Sequence, residues 1–244
     1  SKANGVISLG MALGFFAGAM ISASLVAPWI GGWRNTFFLY GFLSFALIFP
    51  WLLIPTTGDK LSKTHNFQPH SSASQNIQQI FSIRNLWLLG FAFLFINGAV
   101  QGLLGYLPLY LRSLGWGEIN ADMLAASFHL ASMVCIIPIT FIADKLGERK
   151  KIILVLASTM TVGIGMFSIF NGGMLWLGIF AAGFARDAMM AILFTMTMET
   201  KELDIAHAGI ATGFMMVFIG IGSLFSPPLG NTTAKIAPSL PFVF

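Results

Sequence analysis

The chain has 244 residues, 56% of them hydrophobic and only 9% charged, with a mean hydropathy of +0.82. Soluble domains carry about 25% charged residues, and the 13 Lys and Arg and 9 Asp and Glu present here are too few to keep a water-soluble globule of this size dispersed. A soluble enzyme, a nucleic-acid binder and a disordered chain are thereby excluded. The net charge of +4 is spread too thinly to mark a nucleic-acid partner and bears instead on membrane topology.

A bilayer core about 30 Å thick requires about 20 apolar residues per helix. Long apolar runs occupy residues 5–30, 36–54, 86–111, 123–143, 152–170, 174–198 and 206–229, and an eighth begins at Ile236. Each exceeds the about 9–11 residues of a barrel strand and none alternates, so helices are the spanning solution left. The expected fold is an all-α polytopic membrane protein with seven transmembrane helices. No signal peptide is recognisable. A start at Ser1, almost directly in a span, reads as a piece of a longer protein truncated at both ends.

The connections at residues 31–35, 171–173 and 231–235 are very short. Residues 55–85 form the one long polar loop, with Gly58, Asp59, Lys60, Lys63, His65 and His70, and read as a boundary between bundles. Its end, Ile77, Ile80, Phe81, Ile83 and Leu86, is spaced for an amphipathic helix lying at the membrane surface. The domain reading is residues 1–54 as the last two helices of one bundle, 55–85 as a cytoplasmic connector, and 86–244 as a second bundle of five helices plus the start of a sixth.

With the N-terminus placed in the cytoplasm, that side holds nine basic residues: Lys2, Lys60, Lys63, Arg84, Lys145, Arg149, Lys150, Lys151 and Lys201. The outer side holds three, Arg34, Arg112 and Lys235. The bias orients the chain by the positive-inside rule and implies an integral multi-pass protein of a cell membrane.

A repeat accompanies the spans. Gly14, Ala23, Ala27-Pro28 and Gly31-Gly32 recur 199 residues later as Gly213, Gly222, Ser226-Pro227 and Gly230-Asn231. Repeated six-helix halves are a transporter architecture, although small residues also recur simply because they pack membrane helices.

These features carry a resemblance to the major facilitator superfamily of secondary transporters. The loop Asp144-Lys145-Leu146-Gly147-Glu148-Arg149-Lys150 is similar to the family's cytoplasmic signature Gly-x-x-x-Asp-Arg/Lys-x-Gly-Arg-Arg/Lys, departing from it at Thr140 and Glu148. Gly14-x8-Ala23-x3-Ala27-Pro28-x2-Gly31-Gly32 is similar to the fifth-helix motif Gly-x8-Gly-x3-Gly-Pro-x2-Gly-Gly of proton-coupled exporters, with two Gly→Ala changes. The resemblance implies helices five to eleven of twelve. It also implies gating or conformational roles for Asp144, Gly147, Arg149, Gly14, Pro28 and Pro227. From the residues alone, Asp144 and Arg149 suit either a lock between helix ends or a solvated loop. Gly10, Gly14 and Gly18 form a face that another helix can approach closely.

Ionisable groups inside a span are costly and mark function by default. Arg186 and Asp187 lie mid-span; neighbours on a helix point about 100° apart, so they need not pair. Arg186 suits an anionic solute group and Asp187 a proton or counter-charge, with a structural ion pair to a neighbouring helix as the competing reading. His129 suits proton transfer or packing. Asn97 and Gln101, one turn apart, suit either a polar solute or interhelical hydrogen bonds. Tyr106 and Tyr110 read as belt or gate residues, and Glu199 and Glu202 as solvated. The methionines read as packing; no metal site and no cofactor is indicated.

The resulting expectation is a secondary active transporter of a small solute, with a lean to an organic or inorganic anion, using alternating access coupled to a proton or other ion. Its partners would be the solute, the coupling ion and the lipid bilayer, and the full-length protein would act as a monomer. A proton-coupled efflux antiporter of drug-like compounds is the alternative. A seven-helix receptor or photoreceptor is a remote one, because the charge bias puts the N-terminus inside and no Lys lies in the seventh span. A membrane enzyme lacks a His/Asp/Glu cluster or Gly-x-Ser-x-Gly.

Overall fold

The computed structural model describes residues 10, 13–18, 20–53, 73–200, 202–203 and 207–243. Lys2, Lys60, Lys63, Lys201 and most of the long polar loop, residues 54–72, lie outside the described residues. Among those described, all regular structure is helical.

The leading segment is helical over residues 13–18 and 20–29. Ser22–Val26 is a π-turn and Ala27–Trp29 returns to α geometry. The wider turn falls just before Pro28, whose ring excludes a normal bond to the preceding turn. Gly31 and Gly32 then take φ of +80° and +124°, a reversal open to glycine but strained for other residues. The second expected span follows as α1 (Trp33–Ala46) and α2 (Ile48–Leu53), interrupted only at Leu47. Ser22 Oγ and Tyr40 OH, 2.7 Å apart, tie α1 to the leading segment.

The next helix, α3 (Ala73–Ser82), packs its C-terminal half against the bundle. Ile80 is 1% exposed, and Ile80, Ile83 and Leu86 join Phe93, Leu193, Met215 and Phe218 in one core. Phe81 is half exposed, against Trp87 and Phe214.

Among the described residues, five helices are long and apolar enough to cross a bilayer: α4 (Arg84–Ser113), α5 (Glu118–Leu146), α6 (Arg149–Ile169), α7 (Met174–Met198) and α8 (Ala208–Thr233). α4 and α5 outrun their apolar stretches because charged and capping residues extend both ends. Connections of a few residues make consecutive helices antiparallel. At one end of the bundle Asp144, Arg149 and Glu199 meet. At the other end Arg112 pairs with Asp122 at 3.0 Å, and Ser168 Oγ donates to Ser239 O at 3.1 Å.

Lateral packing follows small residues. α4 lies along α8 and α7 is held between α5 and α6. Gly222 faces the Leu94 carbonyl so closely that a Cβ there would come within 2.5 Å of the oxygen. Ser226 Oγ donates to Gly98 O. The second copy of the repeat is thus a packing face for α4. Its first copy differs: a Cβ at Gly10, Gly14 or Gly18 would meet nothing within 4 Å.

Two further expectations change. The connection expected at 231–235 is largely helical, because α8 continues through Pro227 and Pro228 to Thr233, where Thr232 and Thr233 hydroxyls donate to Leu229 O. The run at Ile236, expected to start another helix, instead folds into a 3-10 turn, Leu240–Phe242. Phe242 is 3% exposed and packs on Tyr106, Tyr110 and Phe167. Tyr110 is consequently a core residue rather than a belt residue; it is buried, and its hydroxyl donates to Phe167 O at 3.0 Å.

Candidate functional site

Arg186 is the middle residue of the 25-residue α7, as far from either membrane face as that helix allows. Although neighbours on a helix need not pair, these two do: Nη1 donates to Asp187 Oδ1. The side chain is long enough to curl around the helix and close the 100° separation. Both side chains are mostly buried, at 17% and 15% exposure. Burial of a lone charge is costly, and pairing removes most of that cost while leaving polar capacity unspent.

That spare capacity is specific. Arg186 Nε is buried with no hydrogen-bond partner, and so is His129 Nδ1 on α5. His129 and the 186–187 pair are within electrostatic reach of one another, so the structure gathers three groups that the sequence placed 57 and 58 residues apart. The approach of α5 to α7 is permitted by Gly183, one turn before Arg186, where a Cβ would collide with the Phe128 carbonyl. Ser132, fully buried one turn after His129, accepts a 3.0 Å hydrogen bond from the Asp187 backbone N–H through its Oγ. The third wall comes from the leading segment: the Phe15 ring stacks on His129 at 5.4 Å, and the Arg186 guanidinium carbon lies 5.9 Å from its centroid, within cation–π range.

Sequence reasoning did not single out Phe15, Phe128 or Ser132. Ser132 carries a usable signal, being three residues from His129 on the same helix face. Phe15, one of 24 phenylalanines, carries none.

The amides separate. Asn97 is buried and its Nδ2 donates to Ile219 O at 3.0 Å and Ser223 Oγ at 2.6 Å, which binds α4 to α8. Gln101 is exposed. Neither is brought to the cluster around Arg186 by any described contact.

At the basic end of the bundle, Gly147 caps α5 with φ of +67° and turns the chain into α6. Arg149, the first residue of α6, bonds Glu199 at the end of α7 and lies 3.7 Å from Asp144 Oδ1. Glu199, expected to be merely solvated, is exposed yet paired. Gly147, Arg149 and Glu199 line an open cleft of about 780 Å³ with Glu148, Lys150, Lys151 and Met196. Asp144, Gly147 and Arg149 are therefore assembled as a clasp linking three helix ends.

An apolar helical bundle with a buried charged pair at the middle of one long helix defines a polytopic membrane protein. Residues 1–233 match the family model described as Major Facilitator Superfamily, and the chain belongs to that superfamily of transporters. It is 25% identical over 241 residues to the inner membrane transport protein RhmT of Escherichia coli, a match covering 88% of this chain and 56% of RhmT. It is 26% identical over 236 residues to the multi-drug resistance efflux pump PmrA of Streptococcus pneumoniae, covering 92% of this chain and 58% of PmrA. Against the quinolone resistance protein NorA of Staphylococcus aureus the identity is 26% over 163 residues, 66% of this chain and 41% of NorA. The chain thus spans about half the length of the curated relatives it matches. Membership of a transporter family sets aside the receptor and enzyme readings.

Proposed function

We propose that the protein is a secondary active transporter that moves a small anion by alternating access, coupled to a proton or other ion, with Arg186 as the anion-binding residue. The observation that carries this reading is the Arg186–Asp187 pair at the centre of α7, with Arg186 Nε buried and unpartnered. A guanidinium held by a single carboxylate contact still has donors for an incoming carboxylate or phosphate-like group. Asp187 serves as the resident counter-ion: protonated, it releases Arg186 to the solute; deprotonated, it reclaims Arg186 and expels the solute. His129 is the proton relay in this reading, supported by the Phe15 ring that it shares with Arg186. Asn97 acts as interhelical glue, and Gln101 contributes to solute contact only if it faces the translocation path.

Residues 1–54 and 86–244 act as parts of two bundles joined by the 55–85 connector, with the leading end and the Arg149 clasp in the cytoplasm. The nine-to-three distribution of basic residues supports this orientation. The clasp of Asp144, Gly147 and Arg149 holds the cytoplasmic ends of α5, α6 and α7 together in one conformation. Gly14, Pro28 and Pro227 allow the helices carrying them to slide and bend. The full-length protein functions as a monomer.

Efflux of drug-like compounds in exchange for protons is a second reading. It is favoured by the names of PmrA and NorA and by the partial exporter motif from Gly14 to Gly32. The decisive experiment is uptake of labelled organic anions into proteoliposomes holding the full-length protein, with and without a proton gradient. Arg186→Ala should abolish it. Undiminished anion uptake by Arg186→Ala sinks the anion site, and proton-driven drug extrusion that is indifferent to Arg186 establishes the second reading.

A further inference from the structure

His129 and Arg186 stand on different helices, yet both lie against a ring that belongs to neither. Phe15 meets the imidazole almost parallel, with planes 15° apart, and lies beneath the guanidinium at 5.9 Å. Phe128 closes the other side of the imidazole edge-on, with centroids 5.5 Å apart. Two of the three buried side-chain nitrogens without partners among the described residues, His129 Nδ1 and Arg186 Nε, belong to the two groups that face this ring; the third is His207 Nδ1. Phe15 therefore lies against two walls, an imidazole face and a guanidinium, each of which carries an unspent buried nitrogen. The walls are anchored in the α5–α7 contact, with Phe128 fully buried and His129 8% exposed, whereas Phe15 is 50% exposed. Of the three rings, Phe15 is the one that can leave without opening the core.

We propose that the transported solute is a small aromatic acid, whose ring replaces that of Phe15 against His129 and whose carboxylate binds Arg186. Phe15 is then a place-holder supplied by the leading segment. The inference rests on the anion reading above and narrows it. An imidazole face favours a flat π surface in offset stacking, and a guanidinium forks onto a carboxylate. A saturated ring fills the same volume but cannot stack, and a short aliphatic acid does neither.

The test is calorimetric titration of the purified full-length protein in detergent with benzoate, cyclohexanecarboxylate and acetate. The variants are Phe15→Ala, Phe15→Leu and Arg186→Gln. Benzoate should bind about tenfold more tightly than cyclohexanecarboxylate, the upper end of what stacking supplies. Both Phe15 variants should bind benzoate more tightly than the wild type, and Phe15→Leu keeps a bulky apolar side chain should Phe15→Ala fail to fold. Arg186→Gln should lose binding. Equal affinity for benzoate and cyclohexanecarboxylate overturns the aromatic assignment while leaving the anion site standing. Weaker benzoate binding in the Phe15 variants overturns the place-holder role. If no acid binds the wild type, or Arg186→Gln binds benzoate unchanged, the anion reading itself fails and the inference falls with it.

Discussion

Arg149, the first residue of α6, is paired with Glu199, the residue that caps α7. The contact joins two helix ends 50 residues apart in sequence, and Asp144 adds a third end at 3.7 Å. Glu199 is 57% exposed and Asp144 74%, so water screens the pair and its worth to stability is at most about 1 kcal/mol. Glu199→Gln should therefore leave the melting temperature in detergent nearly unchanged. If the clasp gates, the same variant should alter the rate of solute exchange and raise the labelling of a cysteine introduced at Met196. An unchanged exchange rate would assign the pair to topology alone.

Gly147 presents a different dependence. Its φ of +67° is left-handed, and a Cβ there meets no neighbour within 4 Å, so backbone strain is the whole cost of substitution. Gly147→Ala should destabilise the protein by about 1 kcal/mol, and Gly147→Asn by less, because asparagine tolerates this region. Thermal melting of the two variants side by side checks the order; equal losses would point to a role beyond conformation.

The helices were legible in the sequence because their apolar runs must match bilayer thickness, and the α7 boundaries agree with the apolar run at 174–198. What could not be read is lateral: which faces meet. Ile80 has the spacing of a surface-lying helix, and periodicity does not distinguish lipid from protein as the cover for an apolar face; the structure buries it against Met215 and Phe218. Tyr110 likewise has a belt residue's composition and position, but Phe242 folds over it. Arg186, Asp187 and His129 were each visible as costly groups in apolar spans. Their convergence depends on the contact at Gly183, which sequence alone does not register.

Asn97 and Gln101 make a paired test of that distinction. Asn97 holds two interhelical hydrogen bonds to α8, each worth about 0.6 kcal/mol in membrane proteins. Asn97→Leu should lower stability by about 1 kcal/mol, whereas Gln101→Leu should leave it unchanged because Gln101 is exposed. Melting curves of both variants decide it; a drop for Gln101→Leu would show that its amide is engaged in the folded state.

Gly183 should be the least tolerant position near the cluster. A Cβ there collides with the Phe128 carbonyl and sits 3.1 Å from the Ala131 Cβ, and both atoms belong to a packed helix that cannot yield locally. Gly183→Ala should cost about 1–3 kcal/mol, the usual penalty of overpacking, and Gly183→Leu more. Because the same displacement moves His129 away from Arg186, solute affinity should fall alongside the melting temperature. Full stability in Gly183→Ala would mean that α5 and α7 stand farther apart than this packing requires.

Asp187→Asn isolates the counter-ion role. The amide keeps the shape of the carboxylate but removes the charge that holds Arg186, so the guanidinium is left free for an external anion while its burial remains. Anion affinity should rise, since the solute no longer competes with a resident carboxylate. Net uptake driven by a proton gradient should collapse, while exchange of bound for free solute continues, because only the proton-carrying step has been deleted. Proteoliposome exchange and gradient-driven uptake measured on the same preparation separate these outcomes. If both are lost together, Asp187 acts by keeping Arg186 in place, and the proton is carried by another group.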